Sequence, residues 1–232
     1  MITLRESESR GGAEYGWLKP RYTFSFASFY DPQWMSFRSL RVINEDIIAA
    51  GRGFATHPHD NMEIISYIVS GELRHQDSMG SGSVIARGEV QLISAGTGIS
   101  HSENNPSDEN PTHMLQIWIE PERTGLPPGY DQRVFSDEAK RDRLCPIATP
   151  GGREGSLVIN QDVNLYASLL SAEKAVQLDL AGDRHAWVQV ISGEVALNGV
   201  SLRNGDGAAV SDETVLRLSA IRDAEFLLFD LA

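Results

Sequence analysis

Apolar residues along this chain fall in short alternating or continuous runs, and turn-forming residues separate one run from the next. Positions 22–26 (Tyr-Thr-Phe-Ser-Phe) alternate apolar and polar, as a strand with one buried face requires. Comparable runs occur at 40–43, 64–69, 84–86, 90–93 and 114–119, then at 156–159, 166–170, 187–191, 195–197, 215–218 and 225–229. Turns are marked by Ser70-Gly71, Gly80-Ser81-Gly82, Arg87-Gly88, Ser192-Gly193, Asn198-Gly199 and Asn204-Gly205-Asp206-Gly207. Many short strands at regular spacing predict an all-β barrel or sandwich. One helix is predicted from Ser136, with Asp137 and Glu138 at its positive end and Lys140, Arg141 and Arg143 towards its negative end.

The pattern also repeats weakly. Tyr67-Ile68-Val69-Ser70-Gly71-Glu72 matches Val190-Ile191-Ser192-Gly193-Glu194-Val195 when the Ser-Gly-Glu triplets are aligned, and the segment from Arg87 resembles that from Asn204. Two similar β-units joined through a Pro-rich, helical stretch explain this. The expected division is an N-terminal unit at 1–125, a linker with a short helix at 126–155 and a C-terminal unit at 156–232, with the N-terminal segment free to add strands to the latter.

A length of 232 residues is enough for one large domain or two small ones with a real core. The formal net charge of −12, with no basic cluster to interrupt it, argues against direct binding of nucleic acid. The single cysteine, Cys145, excludes an intrachain disulfide and suits a reducing compartment. The N-terminus becomes charged at Arg5 and Glu6, too early for a signal peptide, and no apolar run is long enough to span a membrane. A soluble, cytoplasmic protein is expected, and a monomer, because two joined units can bury their own apolar faces.

The candidate chemistry lies in two clusters, His57-Pro58-His59 and His101-Ser102-Glu103, which hold three of the six histidines. Residues at i and i+2 share one face of a strand, so each pair can aim two side chains at one point. Three imidazoles and a carboxylate suit a divalent transition metal. On the repeat alignment, Asp179 and Ala181 occupy the places of His57 and His59, so the second unit is expected to bind no metal and to serve as scaffold. A hydrolase motif H-x-H-x-D-H fails because Asn61 and Met62 stand where Asp and His are needed, and there is no nucleophile elbow.

These residues resemble the cupin superfamily. Gly51, His57, His59 and Glu63 outline its first motif; Gly88, Gly96, His101 and Asn105 outline the second, with Ser94 in place of the usual proline. The stretches around Thr56-His57-Pro58-His59, at 63–71 and at 94–103, together with 75–80 and 17–31, are similar to the pirin branch. The resemblance implies a bicupin, two jelly-roll-type β-barrels with a short linking helix. It implies one divalent metal, Fe2+ first with Cu, Mn, Ni and Zn as alternatives, held by His57, His59, His101 and Glu103. Glu63, a ligand in the general cupin plan, is placed behind the ligands, orienting one histidine through its free ring nitrogen. Strand parity favours Glu103 as the fourth ligand, whereas Pro58, Asp60 and Asn61 interrupt a regular strand through 57–63.

Bacterial members of that branch are associated with quercetin 2,3-dioxygenase activity. The expected reaction is therefore cleavage of the heterocyclic ring of a quercetin-type flavonol with O2 and release of carbon monoxide, with Glu103 as the base. The alternative is a non-enzymatic metal or redox sensor acting through a protein partner, which needs the same accessible site. Phe24, Phe26, Phe29, Tyr30, Trp34 and Phe37 are candidates to wall a flat pocket or simply to fill a core. His75 and His113 are read as structural or pocket-lining, and His185 as solvated.

Overall fold

The computed structural model describes residues 1–232, almost all of whose regular structure is antiparallel strand. In chain order the strands begin with β1 (Ile2–Arg5), β2 (Gly11–Gly12), β3 (Leu18–Tyr22), β4 (Leu40–Ile48), β5 (Gly53–His59) and β6 (Glu63–Ser70). There follow β7 (Glu72–Asp77), β8 (Gly82–Ala86), β9 (Glu89–Ser94), β10 (Ile99–Asn104), β11 (Thr112–Ile119) and β12 (Gly129–Val134). After helix α1 (Asp137–Lys140) come β13 (Cys145–Thr149), β14 (Leu157–Val158), β15 (Val163–Leu170) and β16 (Ala175–Asp179). The chain ends with β17 (His185–Leu197), β18 (Val200–Arg203), β19 (Gly207–Val210) and β20 (Val215–Leu231).

These elements form two compact units: one of residues 11–134 with 159–161, the other of 1–10, 135–158 and 162–232. The expected linker at 126–155 is therefore largely structured. Its first part becomes β12, hydrogen-bonded to β9, and its last part becomes β13, paired with β15. Ser136 caps α1 as its position predicts, its hydroxyl accepting from the Ala139 amide. The helix is only one turn long because Arg141 returns to extended backbone.

The first unit is a jelly-roll-type sandwich of two sheets. A seven-stranded sheet runs β12-β9-β6-β11-β4-β3-β2, and a four-stranded sheet runs β5-β10-β7-β8. Glu103 of the smaller sheet is hydrogen-bonded to three residues of the larger, so the two sheets face each other. The alternation at 22–26 does not extend β3: the strand ends at Tyr22, and Thr23, Phe24 and Ser25 are all buried in irregular backbone. The Ser25 hydroxyl and amide are satisfied locally, by the Asp31 carbonyl and the Trp34 carbonyl, which lets the chain leave the sheet without losing bonds.

The second unit is one nine-stranded sheet, ordered β1-β19-β17-β20-β15-β13-β14, with β16 and β18 paired to the outer halves of β20 and β17. The runs at 187–191 and 195–197 belong to a single strand, as do those at 215–218 and 225–229. Ser192-Gly193 does not reverse the chain here. The β17–β20 register slips between Val190 and Val195, so the pair bends and stays hydrogen-bonded. Val188 and Val195, from opposite sides of that bend, share one core with Leu218 and Phe226.

Gly193 adopts φ +80, and a Cβ there would lie 2.0 Å from the Asp223 carbonyl oxygen. Gly193→Ala is expected to cost about 1–3 kcal/mol through strain and a backbone clash. Chemical denaturation of the two proteins checks this, and equal midpoints would remove the bend's dependence on glycine.

Candidate metal centre

Strand β5 is an edge strand, which explains how it accommodates Pro58 between two histidines. It pairs with β10 so that His57 lies opposite His101 and His59 opposite Ile99. The chain leaves the sheet just after His59, with Asn61 in the left-handed region at φ 46. Ring centroids are 4.8 Å apart for His57 and His59, 4.6 Å for His57 and His101, and 4.9 Å for His59 and His101. One ring nitrogen of each lies within 4.8 Å of the other two.

The nitrogens are free to donate lone pairs inward. The His57 Nδ1–H donates to the Ala55 carbonyl at 2.8 Å, which leaves Nε2 unprotonated in the neutral ring. His101 is buried, and neither of its ring nitrogens has a partner within the protein. Desolvation, reinforced by His57, lowers the pKa of His59 to about 4. Desolvation, with His57, His59 and His75 adding to it, lowers that of His101 to about 3. Orphaned buried nitrogens on neutral imidazoles are costly alone and fit a first-row divalent ion.

Glu103 follows a register shift in β10, which places it opposite Phe54 on one side and His75 on the other. Its carboxylate is fully buried. Oε1 accepts from Ser66 Oγ at 3.2 Å and Gln91 Nε2 at 3.3 Å, and Oε2 accepts from Gln116 Nε2 at 2.8 Å. Desolvation raises its pKa, against the opposing pull of His75 and of the Ser66 and Gln91 hydrogen bonds. It forms a second cluster of potential ligand atoms with His75 and His101, all within 4.8 Å of one another, so His101 links the two groups. His75 Nε2–H donates to the Asp77 carboxylate at 3.0 Å, and the ring stacks on Tyr130 at 4.8 Å. Burial opposes ionisation of Asp77, but bonds from His75 and from the Ser81 and Met79 amides hold it below the usual carboxylate range.

A cavity of about 650 Å³ opens above these groups, with His57, His59, His101 and Glu103 in its lining. Trp17, Phe26, Phe54 and Trp118 supply apolar walls, and Asn44, Asp46 and Gln116 a polar one. The rings interlock edge to face: Trp118 meets His59 at 5.0 Å and Phe26 at 5.4 Å, and Trp17 meets Phe54 at 5.3 Å.

A family model described as Pirin matches residues 3–119, and one described as Quercetinase C-terminal cupin domain matches 146–231. The chain is 48% identical to the quercetin 2,3-dioxygenase of Escherichia coli K12, with all of this chain and 99% of that protein covered. It is 39% identical to a pirin-like protein of Caulobacter vibrioides, with both chains fully covered. Among solved structures it matches the Escherichia coli bacterial pirin YhhW in complex with nickel(II), at a TM-score of 0.95 and 47% identity over 100% of this chain and 99% of that one. The chain belongs to the pirin family.

One expectation about this pirin's site needs correction. Glu63 orients no histidine. Its carboxylate accepts from Ser94 Oγ at 3.0 Å and from the Asn160 amide at 3.1 Å, and the Asn160 side chain bonds to the same carboxylate. Strand β6 starts only at Glu63, after the turn at 60–62 has changed the chain's direction, so its parity with His57 and His59 carries no geometry. Ser94, at the place of the usual cupin proline, supplies one of these donors. The aromatic stretch, for which both pocket wall and core filling stood open, mostly does not line the cavity. Only Phe26 of the six lines it, while Phe24 is core, Phe29 packs where a Gly11 side chain would stand, and Tyr30 is exposed.

His113 pairs with Glu45 at 2.9 Å, and His185 Nδ1 bonds to Ser211 at 2.8 Å. Sequence reasoning missed Trp17, Phe54 and Trp118 as wall residues, although Trp118 lies two residues from Gln116 on one strand face. It also missed Gly53, where a Cβ would stand 2.2 Å from the Glu103 carbonyl oxygen.

Glu63→Ala is expected to destabilise the fold by about 1–3 kcal/mol, since the Ser94 and Asn160 donors lose their acceptor. Its affinity for a divalent metal should stay within about twofold of wild type, whereas an orienting partner would cost about tenfold or more. Chelator competition decides between the two.

Proposed function

We propose that this pirin is a metal-dependent dioxygenase that opens the heterocyclic ring of quercetin-type flavonols with O2 and releases carbon monoxide. One divalent ion, Fe2+ first among the candidates, would be held by His57, His59, His101 and Glu103. The observation that carries this reading is the convergence of three imidazoles at the floor of an aromatic-walled cavity. Its volume is in the range of small-molecule sites. The quercetin 2,3-dioxygenase relatives, and the nickel(II) bound by a related pirin, point the same way.

When bound, the ion supplies Lewis acidity that lowers the pKa of a nearby hydroxyl, and a redox-capable centre for reaction with O2. The chain's own residues do the rest. Trp118, Phe26, Trp17 and Phe54 offer flat faces that hold a planar ring system and keep water away from it. Glu103 receives the flavonol hydroxyl proton at a carboxylate oxygen, because burial raises its affinity for a proton. Ser66, Gln91 and Gln116 keep that carboxylate in one orientation throughout. Access by a small molecule past the exposed residues Tyr15 and Arg52 favours catalysis over a sensor whose metal is sealed below a protein-binding face.

The test is anaerobic loading with iron, copper, manganese, nickel and zinc in turn, followed by quercetin absorbance loss and carbon monoxide release on admitting O2. Metal-dependent turnover is expected, with His59→Ala losing metal and Glu103→Ala losing about 10²-fold or more in kcat with the fold retained. Tight metal binding without turnover by any metal would favour the sensor, and unchanged turnover in Glu103→Ala would remove Glu103 as the base.

A further inference from the structure

The cavity mouth carries one permanent positive charge. Arg52 is the only lysine or arginine in the lining, whose two carboxylates, Asp46 and Glu103, are buried. It stands immediately before β5, where Gly51 turns the chain at φ +66. The Arg52 amide donates to the Ala49 carbonyl at 3.2 Å, and the Arg52 carbonyl accepts from the Asn105 amide at 2.8 Å. The backbone is thus held while the side chain stays exposed.

Other arginines are spent within the protein: Arg41 on the Ser25 and Met35 carbonyls, Arg133 on Asp131, and Arg184 on Asp162 and Asp230. The Arg52 guanidinium has no such partner. It also borders a groove of about 590 Å³ on the outer face of the smaller sheet, together with Arg74 and Asp108. That groove is lined by Thr56, Ser102 and Asn104, which alternate with the cavity-facing His57, His101 and Glu103. Asp108 forms an ion pair with neither arginine. Arg74, opposite Asn104, lines the outer groove alone.

An unpaired guanidinium on a chain of net charge −12 is a docking point for an anion, and its planar fork matches a carboxylate. The lining is continuous from Arg52 to the histidines, through Gly53, Phe54 and Ala55 to His57. Extended backbone covers roughly 16 Å over that stretch.

Resting on the flavonol reading above, we propose that Arg52 is the specificity residue of the cavity mouth. It selects flavonols with an ionised oxygen, a carboxylate or phenolate, at the end remote from the metal. Such a ligand lies along β5 over Phe54, one end at the histidines and the other at Arg52. The aromatic walls hold charged and uncharged ring systems alike. The net charge of the chain repels an anion, so without Arg52 the charged ligand is the poorer one.

The experiment titrates zinc-loaded protein, kept anaerobic so that binding is read without turnover, and follows quenching of tryptophan fluorescence. The probes are 3-hydroxyflavone and the same molecule bearing a 4′-carboxylate. Wild type is expected to bind the carboxylate about three- to fivefold more tightly at low salt, the range of an exposed ion pair, and the advantage should shrink as salt is added. Arg52→Gln breaks no side-chain bond; it should lose or reverse the preference and bind 3-hydroxyflavone as before, while Arg52→Lys keeps part of it. Arg74→Gln removes the same charge from the outer groove and should keep the preference whole. Equal affinities in wild type, a preference that survives Arg52→Gln, or an equal loss in Arg74→Gln overturns the proposal. Equal affinities leave the flavonol reading standing, whereas binding of neither probe removes both.

Discussion

Strand β10 is paired on both sides, with β5 and with β7, and its two registers bring the chemistry of this pirin to one place. The β5 side sets His101 against His57; the β7 side sets Glu103 against His75. Between His101 and Glu103 the β5 register shifts, which alters the simple alternation expected of a regular strand. The close approach of β5 and β10 is possible because Gly53 has no side chain to strike the Glu103 carbonyl. A slip of one residue in either ladder would turn the histidines away from the cavity.

That arrangement is expensive, because it buries several ionisable groups together. The structure handles the cost differently for each. Burial drives His59 and His101 towards the neutral form, with His101 left unpartnered, so the site keeps unspent lone pairs. Glu103 is given three hydrogen-bond donors from the facing sheet, and Asp77 draws bonds from His75 and two backbone amides. Ser66, Gln91 and Gln116 of the larger sheet are thus part of the site as much as the histidines are, and their burial is tolerated because each bonds to the Glu103 carboxylate.

Much of the first unit was legible from local pattern. The runs at 64–69, 90–93 and 114–119 became β6, β9 and β11 with small changes at their ends, since each alternates or stays apolar and is closed by a turn residue. The Ser-Gly pair shows the limit of that reading. At Ser70-Gly71 it separates two strands, but at Ser192-Gly193 it bends one, since β20 continues alongside and keeps the backbone bonded. Glu63 shows another limit: its spacing from His59 matches a ligand motif, yet its partner is Asn160, nearly a hundred residues on.

What the sequence determined by itself was the type of fold and the identity of the chemistry. Alternation with period two, the spacing of His57 with His59 and of His101 with Glu103, and the pirin-like stretches are all local properties of the chain. Only the tertiary structure decided which side chains surround those groups. The choice of Trp17, Phe54 and Trp118 as walls, the pairing of His75 with Asp77, and the alignment of Asn44, Gln116, Ser66 and Gln91 all depend on the register between strands distant in sequence. Inter-strand register is a property of pairs of segments, so no single stretch of sequence contains it.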